Sequence, residues 1–181
     1  MNPTQIILYD KVFEQYISGA EISVAVKNMA QQINRDMKDE DIPVFLSVLN
    51  GAFMFTADLM KYIDFKCRLS FVKLSSYNGV SSAGTVKELI GLNQDVTGKT
   101  VILLEDVIDS GTTLEYLVDS LSKYNLKQLK IATMLFKPDV YNKNIKIDYA
   151  GIHIPDNFIV GYGLDYNELG RNYQEIYKIK K

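Results

Sequence analysis

Apolar residues recur along this chain in two periods, and the periods alternate. Ile22, Val26, Met29, Ile33 and Met37 keep one face of a helix, with Gln31, Gln32, Asn34 and Arg35 on the others, and Leu114, Leu117, Val118 and Leu121 repeat at i, i+3, i+4 and i+7. Between such stretches lie short segments that read as strands: Val44 to Leu49, Leu69 to Leu74, Val101 to Leu104, Lys130 to Phe136, Tyr149 to Ile154 and Phe158 to Tyr162. Val101 to Leu104, apolar throughout, suits a strand covered on both faces. Ala52 to Ile63 reads as a further helix. Strands alternating with helices predict an α/β fold in three layers, a mainly parallel central sheet with helices on both faces.

The chain has 181 residues, which the usual size prior makes one domain, with no internal repeat or linker. A net charge of −2 disfavours a general nucleic-acid surface. The single cysteine, Cys67, has no internal partner and sits among strand-like residues as a structural thiol. The apolar runs are far too short to span a bilayer, and no signal-like segment opens the chain, so a cytoplasmic protein is expected. With one histidine, His153, alternating with apolar residues near a strand end, a zinc site or a Ser-His-Asp triad is not expected.

The chemistry concentrates where the strand from Val101 meets the helix from Leu114. Three carboxylates, Glu105, Asp106 and Asp109, lead into Ser110-Gly111-Thr112-Thr113. At the carboxyl edge of a parallel strand, turn amides and the positive end of the next helix hold a phosphate without a basic side chain. Gly111 permits positive φ or close backbone approach, and the hydroxyls add donors and a helix cap. Adjacent strand residues point to opposite faces, so Glu105 and Asp106 reach one ligand only if regular extension has ended or one acts through water or metal. A second strand-to-helix turn sits at Asn50-Gly51, and the Ser- and Gly-rich segment 75–85 reads as a mobile loop.

The run Glu105-Asp106-x-x-Asp109-Ser110-Gly111-x-Thr113 resembles the signature by which type I phosphoribosyltransferases bind phosphoribosyl pyrophosphate. Further segments narrow the resemblance to the hypoxanthine-guanine phosphoribosyltransferases. Leu49 to Phe55 resembles that family's pyrophosphate turn, which can hold a cis peptide. The departure is Asn50, because the family usually places Lys before this glycine, and a positive charge is thereby missing. Ser76-Tyr77 resembles the Ser-Tyr pair of the family's closing loop, implying a lid over about 75–87 that shields a cation-like ribose from water. Pro155 to Glu168 resembles the base-binding hood, to which the N-terminal segment and about 138–181 are expected to contribute.

The resemblance implies Mg2+-dependent transfer of the 5-phosphoribosyl group to a ring nitrogen of hypoxanthine or guanine, with inversion at the anomeric carbon and pyrophosphate leaving. It implies that Asp109 is the general base, and that Glu105, Asp106, Asp109, Ser110, Gly111, Thr112 and Thr113 hold the phosphoribosyl group. Asn50, Gly51 and Arg171 would meet pyrophosphate; Lys137, Phe158, Ile159 and Asp165 the purine; and Glu105, Asp106 and Asp165 the metal. Lys137 would donate to the exocyclic oxygen, which favours a 6-oxopurine over adenine. The family also implies a homodimer or homotetramer, with the apolar helix after Gly51 contributing to an interface. Two other readings stay open: a nucleotide-sensing regulator of this fold that binds RNA or DNA, and a xanthine-preferring enzyme.

Overall fold

The structure, a computed structural model, describes the backbone of residues 3–77, 86–92 and 94–180, and their side chains except those of 75–77 and 86–90. A six-stranded sheet runs in the order β5-β4-β3-β6-β7-β8, built from β3 (Val44–Leu49), β4 (Arg68–Tyr77), β5 (Val86–Ile90), β6 (Thr100–Ile108), β7 (Gln128–Phe136) and β8 (Tyr149–His153). Every pairing is parallel except β5 against β4, which returns as a hairpin along the edge. The two-residue pleat sorts the central strands into separate layers. Phe45, Ile102 and Leu104 pack with helices α1 (Gly19–Asp36) and α2 (Phe53–Met60), while Val44, Leu46, Val101 and Leu103 pack with α3 (Thr112–Leu121). The three-layer expectation holds.

Helix α1 starts at a reciprocal cap: the Glu21 amide donates to Ser18 Oγ at 3.3 Å, and the Ser18 amide donates to Glu21 Oε2 at 2.9 Å. Its apolar stripe, Ile22, Val26, Met29 and Ile33, is buried against the sheet as the spacing predicts. Among the described residues no helix is long and apolar enough to cross a membrane.

A second, antiparallel sheet of order β1-β2-β10-β9 sits apart from the first, formed by β1 (Gln5–Leu8), β2 (Lys11–Ile17), β9 (Ile159–Val160) and β10 (Ile176–Ile179) around Phe13, Val160 and Tyr177. Two expectations change here. The apolar run Phe158 to Tyr162 is not a central strand: only Ile159 and Val160 extend, they pair with β10, and Gly161 at φ +97° followed by Tyr162 at φ +50° turns the chain away. Residues 149–153, read as a strand but also inside the span of about 138–181 expected to contribute to the hood, form the edge strand of the central sheet beside β7. The helix expected over 52–63 is shorter, and β4 and β6 are longer than expected. Of the expected lid, the backbones of Ser76 and Tyr77 pair with Lys87 and Val86, but their side chains and residues 78–85 lie outside the described residues.

Candidate active site

Strand β6 keeps its register with β7 on either side of Asp106, with Glu105 opposite Thr133 and Val107 opposite Leu135. Strict alternation nevertheless fails across it, because Leu104 and Val107, three residues apart, both pack in the α1/α2 layer. Glu105 and Asp106 consequently border one cavity of about 240 Å³, together with Val107, Ile108, Asp109, Gly111 and Thr113. Glu105 is 5% exposed. Burial, and then the neighbouring Asp106 charge, push its carboxyl well above the usual range. Asp106 is raised to about 6 by burial, against the opposing pull of the Val107 amide, which donates to Oδ1 at 2.8 Å, and of the Arg171 charge. Asp109 is exposed at the rim, where its carboxylate accepts from Ser110 Oγ at 3.3 Å.

Beyond β3 the chain turns through a cis Leu49–Asn50 peptide, with Asn50 exposed and Gly51 buried. Gly51 lies so close to Asp106 that a Cβ there would coincide with the carboxylate. Gly163, at φ +98°, packs in turn against the Gly51 carbonyl, where any Cβ would collide. Arg171 fixes the same corner: Nη1 donates to the Gly163 carbonyl at 2.8 Å and Nη2 pairs with Asp165 Oδ1 at 2.6 Å. Asp165 Oδ2 also accepts from the Glu168 amide at 2.7 Å. Asn50, Gly51, Asp106, Asp165 and Arg171 thus converge, although they come from β3, β6 and the chain following β9.

The turn after β6 has the geometry its residues imply. Gly111 is left-handed, at φ 82° and ψ 6°, and serves as N-cap of α3. No side chain caps that helix, so its first amides remain available to an external acceptor, with the Ser110 and Thr112 hydroxyls 3.2 Å apart beside them.

The Lys137 amide donates to the Ile108 carbonyl at 2.9 Å, tying the end of β7 to the end of β6. Its side chain is buried and Nζ pairs with Asp156 Oδ1 at 2.8 Å. Phe158 is 49% exposed, with Tyr166 edge-on at 5.7 Å and Phe13 tilted at 6.2 Å, while Ile159 is buried in β9. Gly163, Asp156, Tyr166 and Phe13 carry no assigned role from the sequence, although the first three lie within the Pro155 to Glu168 hood run; the close spacing of Gly161 and Gly163 is the signal that could have pointed to a backbone constraint. His153 is exposed, edge-on to Phe136 at 5.5 Å, and Cys67 is half-buried against the core.

A family model described as "Phosphoribosyl transferase domain" matches residues 13–167. Among curated proteins, the hypoxanthine-guanine phosphoribosyltransferase of Bacillus subtilis is 42% identical over 157 residues, covering 86% of this chain and 87% of that protein. The enzyme of the same name from Staphylococcus epidermidis is 39% identical over 165 residues, covering 91% and 92%. A crystal structure of a Bacillus anthracis hypoxanthine-guanine phosphoribosyltransferase superposes with a TM-score of 0.82 at 37% identity, over 94% of this chain and 99% of that one. With the signature turn, the acid pair and the second small sheet in place, these matches put the chain in the type I phosphoribosyltransferase family, on its hypoxanthine-guanine branch.

Proposed function

We propose that the chain transfers the 5-phosphoribosyl group from phosphoribosyl pyrophosphate to hypoxanthine or guanine in purine salvage, releasing pyrophosphate and the purine 5′-monophosphate. The observation that carries this reading is the shared cavity of Glu105, Asp106, Asp109, Gly111 and Thr113, which sets acids beside an uncapped helix start. The amides and hydroxyls of Ser110 to Thr113 hold the 5′-phosphate. Glu105 and Asp106 accept from the ribose hydroxyls, and Arg171 with the Asn50-Gly51 turn holds the diphosphate. Phe158 stacks on the base, Lys137 donates to its exocyclic oxygen, and main-chain groups at Ile159 read its edge. As pyrophosphate departs and the purine ring nitrogen bonds to the anomeric carbon, Asp109 takes the proton that nitrogen sheds. Ser76 and Tyr77 belong to the lid that excludes water meanwhile.

Among the described residues no three His, Cys, Asp or Glu side chains converge into a protein-only cation cage. The donor set instead suits magnesium, which keeps waters and takes one or two carboxylates plus ligand oxygens. Asp106, raised to about 6 because its burial outweighs the Val107 amide and the Arg171 charge, is a carboxylate a cation would satisfy. One or two of Glu105, Asp106 and Asp165 would hold it, with ligand oxygens and waters completing its shell. Magnesium bound there would offset the negative charge building on the departing diphosphate. The half-buried free thiol fits a cytoplasmic setting, and the exposed Phe53 and Tyr62 on and after α2 fit a homo-oligomeric interface.

The test is a steady-state assay with magnesium, phosphoribosyl pyrophosphate and each of hypoxanthine, guanine, xanthine and adenine in turn. Turnover with hypoxanthine or guanine and little with adenine is expected. No turnover with any 6-oxopurine would remove the reading.

A further inference from the structure

The phosphate turn does not stand alone on its outer side. The ring of Tyr141 lies against Gly111, where an added Cβ would sit 2.5 Å from Cε2 and 3.0 Å from Cδ2, and 2.7 Å from Cγ of Lys143. Gly111 is therefore constrained twice, by its left-handed backbone and by an aromatic wall. Several bonds hold that wall in place. Tyr141 Oη donates to the Ile145 carbonyl at 2.6 Å, the ring meets Phe136 edge-on at 5.2 Å, and Lys143 Nζ reaches Glu115 in the first turn of α3 at 2.6 Å. The Asn142 amide also donates to the Ser110 carbonyl at 3.4 Å.

The same segment begins at Lys137, the lysine read as the purine donor. The Val140 and Tyr141 amides donate to the Lys137 carbonyl at 3.3 and 3.2 Å, and the Lys137 amide to the Ile108 carbonyl. One hydrogen-bonded loop, residues 137–143, therefore spans the distance from the lysine assigned to the purine to the glycine assigned to the phosphate.

We infer that Tyr141 is a positioning residue for the proposed reaction: its ring, locked by the 137–143 loop, presses on Gly111 and sets the phosphate turn relative to Lys137. This rests on the reading of Ser110 to Thr113 as the phosphate cradle. A substrate anchored at both ends needs the two anchors at a fixed separation, so slack in this loop weakens phosphate binding more than it slows the bond-breaking step.

The test measures kinetics and ribose 5-phosphate affinity for Tyr141→Ala, Tyr141→Phe and Thr113→Ala. Because displacements near 1 Å at a reacting site cost up to about a hundredfold, Tyr141→Ala should raise the KM for phosphoribosyl pyrophosphate and the Kd for ribose 5-phosphate about tenfold, with kcat changed about threefold or less. Tyr141→Phe keeps the ring and should restore affinity to within about twofold, since a net neutral hydrogen bond is small. If Tyr141→Ala does not fold, Tyr141→Leu, which keeps apolar bulk without the flat ring, serves in its place. Unchanged KM and Kd in Tyr141→Ala or Tyr141→Leu, or a Tyr141→Phe as impaired as Tyr141→Ala, overturns the inference while Thr113→Ala still weakens binding. If Thr113→Ala leaves ribose 5-phosphate affinity untouched, the cradle reading fails, and this inference fails with it.

Discussion

The carboxylate of Asp106 occupies the space in which a side chain on Gly51 would have to begin. The turn after β3 and the acid pair of β6 are therefore fitted to each other at van der Waals range. Gly51→Ala must displace one of them. Overpacking of this kind costs about 1–3 kcal/mol of stability, read from the denaturant midpoint. Because the displaced group borders the reaction, kcat/KM should fall about a hundredfold. An Ala variant with wild-type activity would show that the turn has room to yield.

Asp106 also makes the stability of the free protein depend on pH in an unusual sense. Its carboxyl titrates at about 6 when folded against a usual 3.8, so the folded state holds the proton more tightly. Below the unfolded value both states are protonated and nothing is lost; as pH rises through the window from 3.8 to about 6, stability falls, and the penalty then persists at higher pH. Asp106→Asn lacks this titration. In buffer without divalent cations, its stability should match the wild type near pH 3 and exceed it by on the order of 3 kcal/mol at pH 7. A melting-temperature difference that does not change across this range would contradict the shift.

Asp109 is exposed at the cavity rim, so its replacement should leave the fold intact. Asp109→Asn removes the proposed proton acceptor while keeping shape, and kcat should fall about a hundredfold or more. Binding of phosphoribosyl pyrophosphate, followed by titration calorimetry, should change little. Near-normal turnover would move the general base elsewhere.

Asn50 is exposed beside the cis peptide, where the family usually carries a lysine. Asn50→Lys should tighten pyrophosphate as a product inhibitor by about tenfold at low salt, the scale of one charge-assisted contact. The gain should shrink as ionic strength rises. Equal inhibition constants at all salt concentrations would mean that the side chain at this position does not face the diphosphate.

The sequence showed most clearly what is local. Runs such as Val101 to Leu104 announce buried strands because both faces are covered, and the helical repeat through Leu114 and Leu121 is equally plain. The phosphate turn was legible because its residues are contiguous and Gly111 has a backbone reason to be glycine. The small sheet was hidden: β9 is two residues long, β1 four, and their burial depends on partners at the far end of the chain. Phe158 to Tyr162 looked like a central strand because apolarity does not reveal which sheet it joins, and the bend at Gly161 is a backbone fact. For the same reason the contacts of Gly51 with Asp106 and Gly163, and of Gly111 with Tyr141, could not be read. Each joins residues dozens of positions apart through close packing, which leaves no periodic trace.

The pairing of Lys137 with Asp156 bears on which bases the site accepts. The ammonium is already neutralised by a solvent-facing carboxylate 2.8 Å away. Under the proposed role of Lys137, an arriving oxopurine would meet a dipole-like donor, not an unbalanced cation, and an uncharged carbonyl could share it without stranding either partner. A base that has lost a proton would bring its anion up to a second one, so that role would favour the neutral heterocycle.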